Sequence, residues 1–507
     1  MRARCLMVQG TASSAGKSLL CAALCRLFAR AGWRVAPFKA QNMALNAAVT
    51  VGGGEIGRAQ AAQAEAAGVE PTVDMNPILL KPESDRRSQV VVRGRALGSV
   101  DFREYATLGP ALLPVVAESL ARLRRAHELV VIEGAGNPAE INLSSTDLAN
   151  MRVARLADAP VILVGDIDRG GLFAALLGTL ELLEPEDRAR VAGVVVNKFR
   201  GDAALLAPGL HELAARTGVP VLGVVPWLDG VLPPAEDSLD LDAPGRWGRG
   251  GALEVAVVRF PRIANFDDFE PLAAEPGVRV VFARSAADLE RADLVVLPGT
   301  KSTVHDLRWL GATGLADAVT RAAAAGRPVL GVCGGYQMLG EAVHDPDGVE
   351  SNEPTVRALG LLPVVTTFAP TKTTVRVRAR VALRAGPFAA AGGRTVRAYE
   401  IHAGRTEGHG AGAPFAIVER GGAEVADLDG AVSAAGTVLG TYLHGLFADA
   451  QLRRAMLAHL AERRGIATDP RWGAPRDDGW DRLADAVGRT LDVPAVAKLV
   501  GLRFPRR

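Results

Sequence analysis

The sequence predicts an α/β protein of two parallel-sheet domains, and three observations carry that prediction. Residues 5–8, 34–38, 129–132, 161–164, 191–196 and 219–225 form short runs that are apolar throughout rather than in alternation, as strands covered on both faces require. Longer helix-compatible stretches separate these runs and complete βαβ units. The pattern then fails at residues 232–251, where Pro233, Pro234 and Pro244 stand among Gly, Asp and Arg, before a second series opens at 255–258, 278–282, 294–297 and 329–332. The break reads as a linker, which gives domains at 1–235 and 251–460. Residues 373–381 and 395–401 are more β-like, and 461–507 reads as a charged helical tail.

Composition bounds the possibilities. A chain of 507 residues is too long for one ordinary core, and 49% hydrophobic against 22% charged residues describes a globular protein with ample apolar material to bury. The 58 basic and 56 acidic side chains leave a formal charge of +2, no global field for a polyanion, so no nucleic acid is expected. The polar stretch 10–18 interrupts what would otherwise pass for a signal segment, and no run reaches the roughly 18 apolar residues a bilayer demands. A cytoplasmic protein without membrane contact is expected. Four cysteines make no disulfide framework. Cys21 and Cys25, four apart on one helix face, read as buried thiols, whereas Cys333 stands in a different setting.

In the first domain, Gly10-Thr-Ala-Ser-Ser-Ala-Gly16-Lys17-Ser18 lies between the first strand and a helix reaching about residue 30. That is where a phosphate-binding P-loop belongs, because backbone N–H groups and a helix N-terminus offer partial positive charge to phosphate oxygens. Gly10, Thr11 and Gly16 shape the loop, Lys17 reaches for phosphates, and Ser18 is a ligand for Mg²⁺. Five residues separate the two glycines, one more than the ordinary spacing. Glu133, then Asp166 and Asp168, end later strands, and in an open parallel sheet such ends face one crevice. Glu133 is the first choice for Mg²⁺, with Asp166 beside it, and Asn197 with Lys198 ends a strand at the position where related folds contact the adenine.

In the second domain, Cys333 is bracketed by Gly331 and Gly335 between a strand and a helix, as a nucleophile elbow requires. A helix N-terminus under the sulfur favours thiolate. His444, directly after a short apolar strand, is the candidate base, with His305, His344 and His402 as rivals. Backbone N–H groups at Gly334 and near Gly299 are candidates for an oxyanion hole.

The loop resembles that of dethiobiotin synthetase and its amide-forming relatives, and the cysteine segment resembles type 1 glutamine amidotransferase domains. Those domains often carry an acid two positions beyond the histidine; here that position is Leu446, which leaves a Cys333/His444 dyad. Together with Lys39-Ala-Gln-Asn-Met43, Glu133-Gly-Ala-Gly136, Asp166-Ile-Asp-Arg-Gly-Gly171, Asn197-Lys-Phe-Arg-Gly-Asp202 and Tyr399-Glu-Ile-His402, nearly the whole chain is similar to the cobyric acid synthases. That resemblance implies ATP and Mg²⁺ as cofactors, L-glutamine as nitrogen donor, and a corrinoid acid near Gln41, Asn42 and Asp168. A cobyrinic acid a,c-diamide synthase shares the domain order, and a P-loop switch ATPase with a silent second domain is the alternative of another class.

Overall fold

The structure is a computed structural model that describes residues 2–143, 147–228, 241–242, 246–248, 250–408, 410–474 and 479–504. All six apolar runs of the first half enter one parallel sheet, in the order Val221–Pro226, Val191–Phe199, Val161–Asp166, Arg4–Gly10, Leu129–Glu133 and Val35–Phe38. The strand Arg4–Gly10 is paired on both sides, Val8 lying opposite Ile162 and Glu133. Neighbours on either side of this strand are reached by crossovers in opposite directions, so the loop leaving it opens at the topological switch point.

Between Val35–Phe38 and Leu129–Glu133 the chain inserts a small four-stranded sheet, Gln41–Met43, Ile78–Pro82, Arg87–Val92 and Arg95–Asp101. The helix Phe102–Ala126 follows, started by Asp101, whose side chain accepts the N–H groups of Arg103 and Glu104. This insertion was not anticipated from the sequence: its strands are short and partly exposed, so they lack the continuous apolar signature.

The second parallel sheet runs Val278–Ala283, Leu253–Val258, Leu294–Leu297, Val329–Val332 and Val438–Thr441, with Ala431–Val432 added antiparallel at the edge. A further sheet packs beside it, built on the long pair Val365–Val381 and Thr395–Glu407, where the sequence turned β-like. The expected linker lies mostly outside the described residues, as do Pro233, Pro234 and Pro244 and the terminal Arg506 and Arg507.

The chain from residue 450 on, which includes the segment read as a tail, does more than trail. Ala450–Arg464 covers the second domain, its Arg453 buried against Glu275 at 2.7 Å. The helices Trp480–Gly488 and Val493–Leu499 return to the first domain, where Trp480, Leu483 and Val487 join the core around the helix Lys17–Arg30. Among the described residues no helix is long and apolar enough to cross a membrane, and Cys5, Cys21, Cys25 and Cys333 are all free and buried.

The two domains meet through reciprocal carboxamides: Asn265 Oδ1 accepts the N–H of Ala47 at 3.2 Å, and Asn46 Oδ1 accepts that of Phe266 at 3.3 Å. Ion pairs reinforce the seam, Lys301 with Glu83 at 2.8 Å and Arg58 with Asp267 at 3.0 Å.

Candidate functional sites

At the carboxyl end of the first sheet, Gly10 closes its strand and the N–H of Thr11 bonds Val164 O at 2.9 Å. Gly16 has φ 95°, and a Cβ on it would lie 2.0 Å from Asn197 Nδ2, so only glycine fits. Asn197 donates to Ala15 O at 2.8 Å and thereby braces the loop itself. Lys17 is buried and its Nζ donates to the carbonyls of Ala12 (2.7 Å), Ser13 (3.1 Å) and Gly136 (3.1 Å).

Ser18 Oγ donates to Glu133 Oε1 at 2.8 Å, and the same carboxylate accepts from Lys39 Nζ at 2.8 Å and Gln63 Nε2 at 2.5 Å. Burial alone would raise Glu133, but the Lys39 ammonium, with these hydrogen bonds, holds its carboxyl below the usual range. Asp166 is turned elsewhere: Oδ2 pairs with Lys198 at 2.8 Å and Oδ1 accepts the N–H of Asp168 at 2.9 Å. Asp168 is exposed beside Arg200, 3.3 Å away. Gln41 accepts the Tyr105 hydroxyl at 2.5 Å, and buried Asn42 donates to Gln60 at 3.1 Å.

The chemistry of this set fits a nucleotide with its cation. The loop leads into a helix N-terminus with a lysine folded over it, and Ser18 and Glu133 offer oxygen donors only, the kind Mg²⁺ takes alongside phosphates and water. Among the described residues no group of three or more His, Cys, Asp or Glu side chains forms a self-sufficient metal cage.

In the second domain the strand Val329–Val332 ends on Cys333, whose φ 53° and ψ −112° are strained for a residue with a Cβ, and the helix Gly334–Leu339 starts at once. The flanking glycines make room: a Cβ on Gly335 would lie 1.9 Å from Leu297 O, and one on Gly331 2.8 Å from Gly335 O. The Cys333 thiol donates to Ile401 O at 3.3 Å.

His444 follows the adjacent parallel strand Val438–Thr441. Its Nδ1 lies 2.7 Å from Asp268 Oδ2, and the other oxygen of Asp268 accepts the N–H of Gly445 at 2.8 Å. Tyr399 stacks on the imidazole at 5.3 Å between centroids. Burial would lower the histidine, yet the Asp268 carboxylate, helped by hydrogen bonding with Cys333, raises it to about 10. A sulfur, an imidazole and a carboxylate thus stand in series, the arrangement by which a base is oriented and its cation stabilised.

Gly299 and Gly334 line the same cavity as Cys333 and His444; a Cβ on Gly299 would approach His444 Cε1 at 3.1 Å, and one on Gly334 would approach Thr300 N at 3.3 Å. Of the rival histidines, His305 is exposed beside Asp306 and His344 bonds Thr355. His402 lines the cavity, stacked on Tyr442 at 3.8 Å, and burial pushes it down to about 4. Asp268 was missed by sequence reasoning; the only signal was the doublet Asp267-Asp268 in a turn after the first strand of its domain.

These two sites define a class: a glutamine amidotransferase joined to a nucleotide-binding P-loop domain. Residues 254–452 match the CobB/CobQ-like glutamine amidotransferase domain, and residues 6–239 match the CobQ/CobB/MinD/ParA nucleotide binding domain. The chain is 57% identical to the cobyric acid synthase of Sorangium cellulosum strain So ce56, over 99% of both chains. It is 51% identical to that of Pelotomaculum thermopropionicum, over 99% of this chain and 98% of the other. The cobyric acid synthase of Dehalococcoides mccartyi strain CBDB1 is 48% identical, over 97% of this chain and 98% of the other. The chain belongs to the cobyric acid synthase family and is an enzyme.

Proposed function

We propose that the chain amidates the b, d, e and g carboxylates of adenosylcobyrinic acid a,c-diamide to give cobyric acid, using one ATP and one glutamine for each. The observation that carries this reading is the Cys333–His444–Asp268 series, whose cysteine and histidine line a cavity walled by both domains, on a chain related to cobyric acid synthases over nearly its whole length.

Cys333 attacks the side-chain amide carbon of glutamine. His444 accepts the thiol proton through Nε2 and returns a proton to the departing ammonia, while Asp268 fixes the ring through Nδ1. Water then cleaves the thioester, releasing glutamate and restoring the sulfur. Backbone N–H groups at Gly334 and near Gly299 face the oxyanion that forms in each half.

In the first domain, ATP bound with Mg²⁺ supplies the phosphoryl group that converts a poorly electrophilic carboxylate to an acyl phosphate. Gly10, Thr11 and Gly16 shape the cradle, Asn197 holds it, Lys17 counters phosphate charge, and Ser18 with Glu133 present oxygens to the cation. Asp166 lies on the next strand, where release from Lys198 would bring a second carboxylate to the cation. Gln41, Asn42 and the Asp168 loop form our proposed corrinoid side of the crevice. Free buried cysteines suit a cytoplasmic setting.

The test offers purified protein each corrinoid acid with ATP and glutamine and follows product mass. Four successive amidations of the a,c-diamide are expected; amidation confined to the a and c groups of the unamidated acid would overturn the assignment in favour of the a,c-diamide synthase reaction. Cys333→Ala is expected to abolish glutamine-supported synthesis and keep synthesis from high ammonia, whereas Lys17→Ala abolishes both.

A further inference from the structure

We propose that Lys81 and Lys372, one from each domain, hold the α-carboxylate of glutamine beside Cys333, so that the nucleotide-binding domain supplies a wall of the glutamine pocket. The inference rests on the glutaminase reading above and extends it to substrate recognition.

Lys81 lies on the strand Ile78–Pro82 of the inserted sheet, and Lys372 on the strand Val365–Val381 of the second domain. The second of these strands leaves its ladder between Phe368 and Thr373, which frees Lys372 from the sheet. Both side chains line the cavity that holds Cys333, Gly299 and His444.

The two ammonium groups share one carboxylate. Lys81 Nζ is 2.8 Å from Glu55 Oε2 and Lys372 Nζ is 2.5 Å from Oε1, and Glu55 and Lys81 are only 1% and 3% exposed. Lys301, the third lysine of the cavity, is matched with Glu83. Glu55 therefore offers one negative charge to two ammonium groups, buried Lys81 and half-buried Lys372, and a partly desolvated cation that shares its counter-ion gains from a second anion. Burial draws Lys81 down to about 8 against the attraction of Glu55, with Lys372 repelling it as well. A purely structural role would need a single lysine, since either one alone balances Glu55.

The rest of the cavity suits the other end of an amino acid. Gln89, directly across the ladder from Lys81, has a buried Oε1 with no partner and lines the cavity. Glu350 lines it too, accepting the N–H of Thr303 at 2.7 Å. A site with a cationic wall, acceptor oxygens from Gln89 and Glu350 and a nucleophile matches a zwitterion whose side-chain amide points at the sulfur.

The test compares L-glutamine with L-glutamine α-amide, which lacks the carboxylate, as glutaminase substrates for the wild type, Lys81→Met and Lys372→Met. Each substitution leaves a balanced pair with Glu55. The expected result is a loss of about 10- to 100-fold in kcat/KM for glutamine, mostly through KM, with a far smaller change for the α-amide. Equal losses on both substrates, or none on either, would overturn the proposal. Calorimetry of the two ligands against Cys333→Ala decides the matter if the methionine variants misfold: a preference for glutamine of about tenfold or more is expected, and equal affinity refutes it. A wild type that hydrolyses no glutamine at all would instead refute the glutaminase reading.

Discussion

His444 is buried at 2% exposure and yet is a stronger base than an ordinary imidazole, because Asp268 meets Nδ1 at 2.7 Å. Replacing that acid tests the arrangement. Asp268→Asn is expected to lower the glutaminase kcat by about 10²–10⁴-fold, since an orienting group acts through the base it holds, with ammonia-supported synthesis retained. The sign of the pH effect follows from the raised pKa. A histidine moved from 6.5 to about 10 contributes stability that is complete below 6.5 and is lost as pH climbs through about 10. Urea unfolding from pH 6 to 10.5 should show that decline in the wild type and a flatter profile in Asp268→Asn. Cys333 and His444 were legible because flanking glycines and strand ends mark them locally. Asp268 was not, because it lies 176 residues before its partner; the position two beyond the histidine is Leu446, which is buried in the core. Asp166 was legible as a strand-end acid, but its pairing with Lys198 depends on the neighbouring strand's register, where Asp166 sits opposite Asn197.

Among the elements, Trp480–Gly488 has the largest local consequence. Trp480, Leu483, Ala484 and Val487 recur at helical spacing and are all buried, packing against the helix that begins at Lys17. Arg26 and Arg30 add ion pairs to Asp481 and Asp485 at 2.8 Å each, but exposed pairs of this kind contribute little beside the apolar face. Trp480→Ala is expected to destabilise the first domain by about 3–5 kcal/mol and to weaken nucleotide binding, as thermal melts with and without ATP would report. From the sequence this helix was read only as part of a charged tail. Its destination was not legible there, because an amphipathic face says that it must be covered and not by what. The six strands of the first sheet were read correctly for the opposite reason: an apolar run without alternation already states that both faces are buried.

At the scale of the molecule, two complete α/β domains share one cavity and a polar seam. Asn265 lines that cavity while accepting from Ala47 and donating to the Tyr399 hydroxyl at 3.3 Å. Asn265→Ala is expected to raise the glutamine consumed per amide formed by about two- to fivefold, on the order of one lost hydrogen bond, and parallel assays of glutamate and amidated corrinoid would measure it. The return of the C-terminal helices to the first sheet also bears on how the chain is made. During translation the helix that carries Lys17 stays half bare until residues 480–500 emerge. At roughly 5–20 residues per second, that is tens of seconds after the sheet beneath it. A ribosome that stops early therefore leaves the helix behind the phosphate loop without the apolar cover of Trp480, Leu483 and Val487.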